Sequence, residues 1–191
     1  MSERMVAEIW IGGKIAASLV PDLCEAIADE GVSTEWGGGG FEPATAHDLL
    51  KAVKPNRDKV PLLWLCNGEA TWGEFSSLEA FLQDRQIAFT RVSEGKYEYD
   101  PEMLVYRPST GRIEIATDSS GEPMVPISPF VAVEAELSKV VDAVPVASLR
   151  TILRAIRSAR NTLRCALPPT FSPLEAFEIV PCTNLEPVCH G

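Results

Sequence analysis

Histidine is scarce in this chain, and the residue patterns that histidine usually completes are missing with it. Only two of the 191 residues are histidine, His47 and His190, and neither stands where it would pair with a cysteine or serine nucleophile. His47 falls off the apolar stripe of a short expected helix, which predicts a solvated side chain. Long apolar runs are lacking too: nothing approaches the roughly 18 consecutive apolar residues of a membrane-spanning helix. After Met1–Met5 an acid interrupts Val6-Ala7-Glu8-Ile9 before a signal-peptide core can form. Cysteines are few and odd in number, and Cys24, Cys66, Cys165, Cys182 and Cys189 are too scattered for a disulfide framework. These features predict a soluble, cytoplasmic protein with no membrane partner.

Cofactor signatures are equally thin. The run Gly37–Gly40 is followed by Phe41-Glu42-Pro43, without the lysine and hydroxyl residue of a phosphate loop. Cys182, Cys189 and His190 match no common zinc spacing, so neither a metal nor another cofactor is expected. Basic residues are outnumbered, 17 Lys and Arg against 27 Asp and Glu, and the net charge of −10 disfavours nucleic acid and anionic lipid as partners.

What is present is a foldable pattern. Hydrophobic residues make up 46% of the chain, enough for a core and far from the composition of disorder. Ala7, Ile9 and Ile11 alternate with Glu8 and Trp10, predicting a strand toward Ile15 that loosens at Gly12-Gly13. Val20, Leu23, Cys24 and Ile27 recur at helical spacing, with Pro21 suited to the first turn and Gly31 to a left-handed cap. Val32–Trp36 reads as a short strand. Thr45 and Asp48 start a short helix that Lys54-Pro55-Asn56 closes. Val60–Cys66 is a continuous apolar run, as in a strand covered on both faces.

Thr71-Trp72-Gly73-Glu74 has the spacing of a capping box and predicts a helix starting there, with Phe75, Leu78, Phe81 and Leu82 on one side. Ile87–Val92 predicts a strand, and Met103–Tyr106 with Arg112–Ala116 a hairpin. Helical patterns run from Phe130 to about Val141 and from Ser148 to about Leu167.

This order predicts an α+β fold: a ferredoxin-like split βαβ sheet with an inserted helix, a hairpin and two C-terminal helices. A small doubly wound α/β sheet is the alternative. The expected divisions are a sheet domain at 1–129, a helical pair at 130–167 packed on it, and a mobile Pro-rich tail at 168–191. Within that tail Phe171, Leu174, Phe177, Ile179 and Val180 form a small apolar cluster.

Charge is unevenly placed. Arg150, Arg154, Arg157, Arg160 and Arg164 recur at three- and four-residue steps beside an apolar stripe of Leu149, Ile152, Leu153, Ile156 and Leu163. No Asp or Glu occurs between Ala143 and Leu174, so a local +5 sits in a chain of net −10. The arginines suit internal pairing, an acidic protein partner or second subunit, or phosphates, and the acidic remainder weakens the last. The leading functional expectation is a non-enzymatic interaction or regulatory module with a protein partner or self-association.

Two alternatives stand beside it. Glu94, Glu98, Asp100 and Glu102 suggest an acidic mimic of nucleic acid that occupies a basic protein groove. Glu69, Asp118 and Glu122 suggest a small metal-assisted enzyme. A candidate pocket is placed at Glu69, Trp72 and Glu74, where the turn after the apolar strand opens.

Overall fold

The computed structural model describes residues 3–96, 99–143 and 148–181. They fall into two units, one of Met1–Pro123 with Phe171–Gly191 and one of Met124–Thr170. Among the described residues no helix is long and apolar enough to cross a membrane.

The first unit is built on a six-stranded sheet. Its strands are β1 (Arg4–Ile11), β3 (Val53–Pro55), β4 (Pro61–Thr71), β5 (Phe89–Ser93), β6 (Glu102–Arg107) and β7 (Gly111–Ala116). They lie in the order β3-β4-β1-β5-β6-β7, and every neighbouring pair is antiparallel. The fold is therefore α+β. β4 and β5, joined through α3, both run antiparallel to β1 and flank it, so they are parallel to each other with β1 between them, the spacing of a split βαβ unit. A doubly wound sheet needs parallel strands throughout. The order of elements along the chain is close to expectation, and α3 returns the chain so that β5 runs in the same direction as β4.

Alternation decides the two faces. Ile9 lies between Leu65 and Arg91, and Ile11 between Leu63 and Phe89, on the face covered by α1 (Val20–Asp29), α2 (Ala46–Lys51) and α3 (Ser76–Asp84). Leu23 and Ile27 of α1, Leu49 of α2, and Leu78 and Leu82 of α3 pack there as one fully buried cluster. Gly31 has φ +58°, the left-handed cap expected of it. Thr45 and Asp48 form a complete capping box at the start of α2.

Local readings fail where a long-range partner takes over. Val32–Trp36 forms no strand, only an isolated bridge from Ser33 to Cys66. Lys54 and Pro55 belong to the edge strand β3, where a proline costs no ladder bond. The capping box at Thr71 does not form: β4 continues to Thr71, Trp72 and Gly73 turn with positive φ, and α3 begins at Ser76. The cap comes from elsewhere. Glu30 Oε1 accepts from the amides of Ser77 (2.6 Å) and Leu78 (3.0 Å), and Glu79 Oε1 accepts from Phe75 N (3.1 Å).

The stretch after Phe171, expected as a mobile tail, is docked as far as Pro181. Strand β8 (Glu178–Val180) pairs in parallel with β2 (Lys14–Ala16), and Phe177 is buried in the core cluster. Gly12 is the reason it fits: a Cβ there would lie 2.3 Å from Glu175 O. Cys182, Cys189 and His190 lie outside the described residues.

The second unit contains α4 (Ser128–Ala143) and α5 (Leu149–Ala166), which pack on each other. Ser148 Oγ accepts from Thr151 N at 3.3 Å, which fixes the start of α5.

Candidate functional site

Exposed apolar surface is concentrated in the helical unit. All of the exposed large apolar side chains except Trp36, Leu50, Trp72 and Tyr99 lie between Met124 and Leu167. Two helices present two buried stripes at most, and everything on their outer faces stays in water. Leu149, Leu153 and Ile156 are 71%, 43% and 49% exposed, and Phe130, Leu137 and Val141 are 37%, 36% and 68% exposed. This exceeds the isolated surface leucines that any protein carries.

Two grooves on this unit differ in charge. One runs along α4 and is lined by Phe130, Leu137 and Val141 with Glu134 and Asp142. The other runs along the first half of α5 and is lined by Leu149 and Leu153 with Arg150, Arg154 and Arg157. Both residue sets recur at three- and four-residue steps along their helices; Leu163 of α5 borders the first groove, which lies at the α4–α5 seam, and the second follows one face of α5. Arg160 and Arg164 are exposed farther along α5 and do not line the second groove. Arg164 lies in the last turn, where a cation complements the helix dipole. Among the described residues of this unit, none of the five arginines forms an ion pair.

The candidate pocket of Glu69, Trp72 and Glu74 is only partly assembled. Trp72 and Glu74 line an open cavity of about 540 Å³ together with Tyr99 and Glu102, and Glu69 is not among its lining residues. The Trp72 and Tyr99 rings meet edge to face at 5.4 Å. Glu74 has no capping role; its carboxylate accepts from Ser76 Oγ at 3.3 Å.

Beside this cavity the guanidinium of Arg91 is fully buried. Its Nε lies 2.8 Å from Glu79 Oε1, its Nη2 pairs with Glu102, and its Nη1 donates to Gly73 O (2.8 Å) and Ser93 Oγ (3.1 Å). Burial pushes the Glu79 carboxyl up from its ordinary value, against the pull of Arg91. Glu102 is thereby engaged, so of the acidic stretch proposed for mimicry only Glu94 and Asp100 stay exposed among the described residues, and Glu98 lies outside them.

The carboxylates proposed for catalysis have other work. Asp118 Oδ1 accepts from Ser120 N, Ser120 Oγ and Glu122 N at 2.7 to 3.0 Å, which holds its turn closed and its pKa low. Glu122 pairs with Arg57 at 2.8 Å on the surface. His47 is part of α2. Cys66 is buried, which pushes its thiol up to about 11, away from nucleophilic character.

Sequence reasoning missed the tryptophan cluster on the sheet face opposite the helices. Trp10 and Trp64 face each other across β1 and β4 with ring centroids 5.9 Å apart, and Trp36 packs on Trp64 at 5.7 Å. Glu8 accepts from both indoles, Trp10 Nε1 at 3.2 Å and Trp64 Nε1 at 2.9 Å. The alternation of Glu8 and Trp10 against Ile9 and Ile11 marked this face, but nothing local gave Trp64 as its neighbour. Comparisons with protein-family models, curated proteins and solved structures found no match for this chain.

Proposed function

We propose that this protein is a non-enzymatic interaction module whose helical unit is the contact surface and whose first contact is a second copy of itself. One observation carries the reading: the helical unit bears two apolar grooves of opposite charge, acidic along α4 and basic along α5. In a two-fold dimer α5 of one copy meets α4 of the other, and the reverse contact follows by symmetry. Leu149 and Leu153 then cover Phe130, Leu137 and Val141, while Arg150, Arg154 and Arg157 approach Glu134 and Asp142. The product is a four-helix arrangement, which buries the outer faces that a lone helix pair leaves wet. Apolar burial supplies the attraction, and the charges set register and orientation.

The test is molar mass in solution. Light scattering or sedimentation of the wild type is expected to give twice the chain mass of 20.8 kDa. The variant carrying Arg150→Glu, Arg154→Glu and Arg157→Glu is expected to be monomeric with an unchanged circular dichroism spectrum. A wild type that stays monomeric at high concentration, or a folded triple variant that still dimerises, removes the reading.

A further inference from the structure

Two arginines on adjacent strands are buried on opposite sides of the sheet, and only one is neutralised. Arg91 faces the helices and meets Glu79 and Glu102. Arg107 faces the other way, is 5% exposed, and meets no carboxylate among the described residues. Its Nε donates to Ser172 O (2.7 Å), its Nη1 to Phe89 O (2.6 Å) and Tyr106 O (2.9 Å), and its Nη2 to Thr90 Oγ1 (3.1 Å). A guanidinium has five N–H groups. Four are used, and the second hydrogen of Nη2 has no partner among the described residues.

A buried charge without a counter-ion is expensive, and hydrogen bonds to neutral oxygens offset that cost only in part. Arg107 also lines a cavity of about 390 Å³ on this face, a volume within the range of small-molecule sites. Trp10, Leu62, Met103 and Phe171 give the cavity an apolar, partly aromatic lining. The docked segment closes one side, with Phe171 5.5 Å from the Arg107 guanidinium carbon. Glu8, Asp58 and Arg57, whose guanidinium pairs with Glu122 at 2.8 Å, line the cavity as well. Glu8 directs both oxygens at the indoles of Trp10 and Trp64, and Asp58 sits on an exposed loop.

We propose that this cavity binds a small organic monocarboxylate with a flat apolar body. The carboxylate takes the free N–H of Arg107 Nη2 and neutralises its charge, and the body lies against Trp10, Met103 and Phe171. A monocarboxylate fits better than a phosphate because Arg107 has one N–H available, Arg57 is already paired with Glu122, and Glu8 and Asp58 share the walls. This site is independent of the helical unit, so dimerisation neither supports nor removes it.

The test uses indole-3-carboxylate as probe, its methyl ester as the neutral control and inorganic phosphate as the bodiless control, titrated calorimetrically and by tryptophan fluorescence. The carboxylate is expected to saturate, and the ester to bind roughly ten- to a hundredfold more weakly, the value of a charge-assisted hydrogen bond. Arg107→Met should erase that preference. Because Arg107 also ties three backbone carbonyls, that variant can fail to fold. Met103→Trp, which fills the cavity and leaves Arg107 intact, should then abolish binding with the spectrum of the folded protein retained. Equal binding of acid and ester, no saturation by the carboxylate, phosphate binding as tightly as the carboxylate, or full binding by a folded Met103→Trp variant would each overturn the proposal.

Discussion

Single residues in this protein are governed by what neutralises them. Arg91 lies in a row of core side chains between Ile9 and Leu104, held by Glu79 and Glu102. Removing one member of a buried pair strands the other, so Arg91→Met should cost about 3–5 kcal/mol in urea unfolding. The double variant Glu79→Gln/Arg91→Met should recover part of that loss; equal stability of the two would mean that the pair is not coupled. Asp48 shows the opposite case, at the surface. The Thr45 hydroxyl, with the amides of Ala44 and Thr45, holds its carboxyl below the ordinary 3.8. A lowered pKa means that the fold prefers the ionised form, so its contribution is present above 3.8 and lost as pH falls through the folded value. Glu79, whose pKa is raised, has the reverse sign and favours the fold less as pH rises through its folded value. Thr45→Val should move the Asp48 titration seen by NMR up toward 3.8, and an unmoved titration would contradict the assigned cause. Among the described residues the thiols divide by burial: Cys165 is exposed, and Cys24 and Cys66 are buried with raised pKa values. Iodoacetamide should therefore modify Cys165 in the native protein and reach Cys24 and Cys66 only after unfolding, as read by peptide mass spectrometry.

Elements were legible in the sequence when their signals were local. Helix α1, the α2 capping box, the β6–β7 hairpin and the two C-terminal helices all rest on contacts within a few residues, and the residue types announce them. The errors came from partners far along the chain. Thr71 and Glu74 have capping-box spacing, but β1 draws the chain into strand through Thr71, and Glu30, 47 residues before Ser77, caps α3 instead. Glu30→Ala should lower stability by about 1 kcal/mol through the lost cap. Gly12 reads as a break in a strand, and β1 does end at Ile11; the long-range part is the backbone at Glu175 that occupies the space beside it. Gly12→Val should cost about 1–3 kcal/mol through overpacking and should raise proteolytic cleavage within Phe171–Pro181. Stability and cleavage equal to the wild type would mean that the C-terminal segment does not dock there.

At the scale of the molecule, charge segregation was readable and its use was not. The five arginines and the absence of acids around them are plain in the sequence, but internal pairing and external contact look alike until the neighbours are known. Within the helical unit those arginines meet no carboxylate, and the groove of α4 carries the charges that complement them. The arginine-bearing cavity had no linear signal, since its lining comes from strands and loops spread from Glu8 to Leu174. Exposed charge pairs are screened over about 8 Å at physiological salt and about 3 Å at 1 M, so added salt should loosen the proposed dimer without dissolving its apolar contact.

Mixing two charge-reversed variants tests the central claim most directly. One carries Arg150→Glu, Arg154→Glu and Arg157→Glu, and the other Glu134→Arg and Asp142→Arg. Each alone places like charges across the contact and should sediment as a monomer. Mixed, each α5 faces an α4 of opposite sign, and a heterodimer should form. If the mixture stays monomeric while the wild type dimerises, or if either variant dimerises alone, α4 and α5 do not face each other between copies and the account fails.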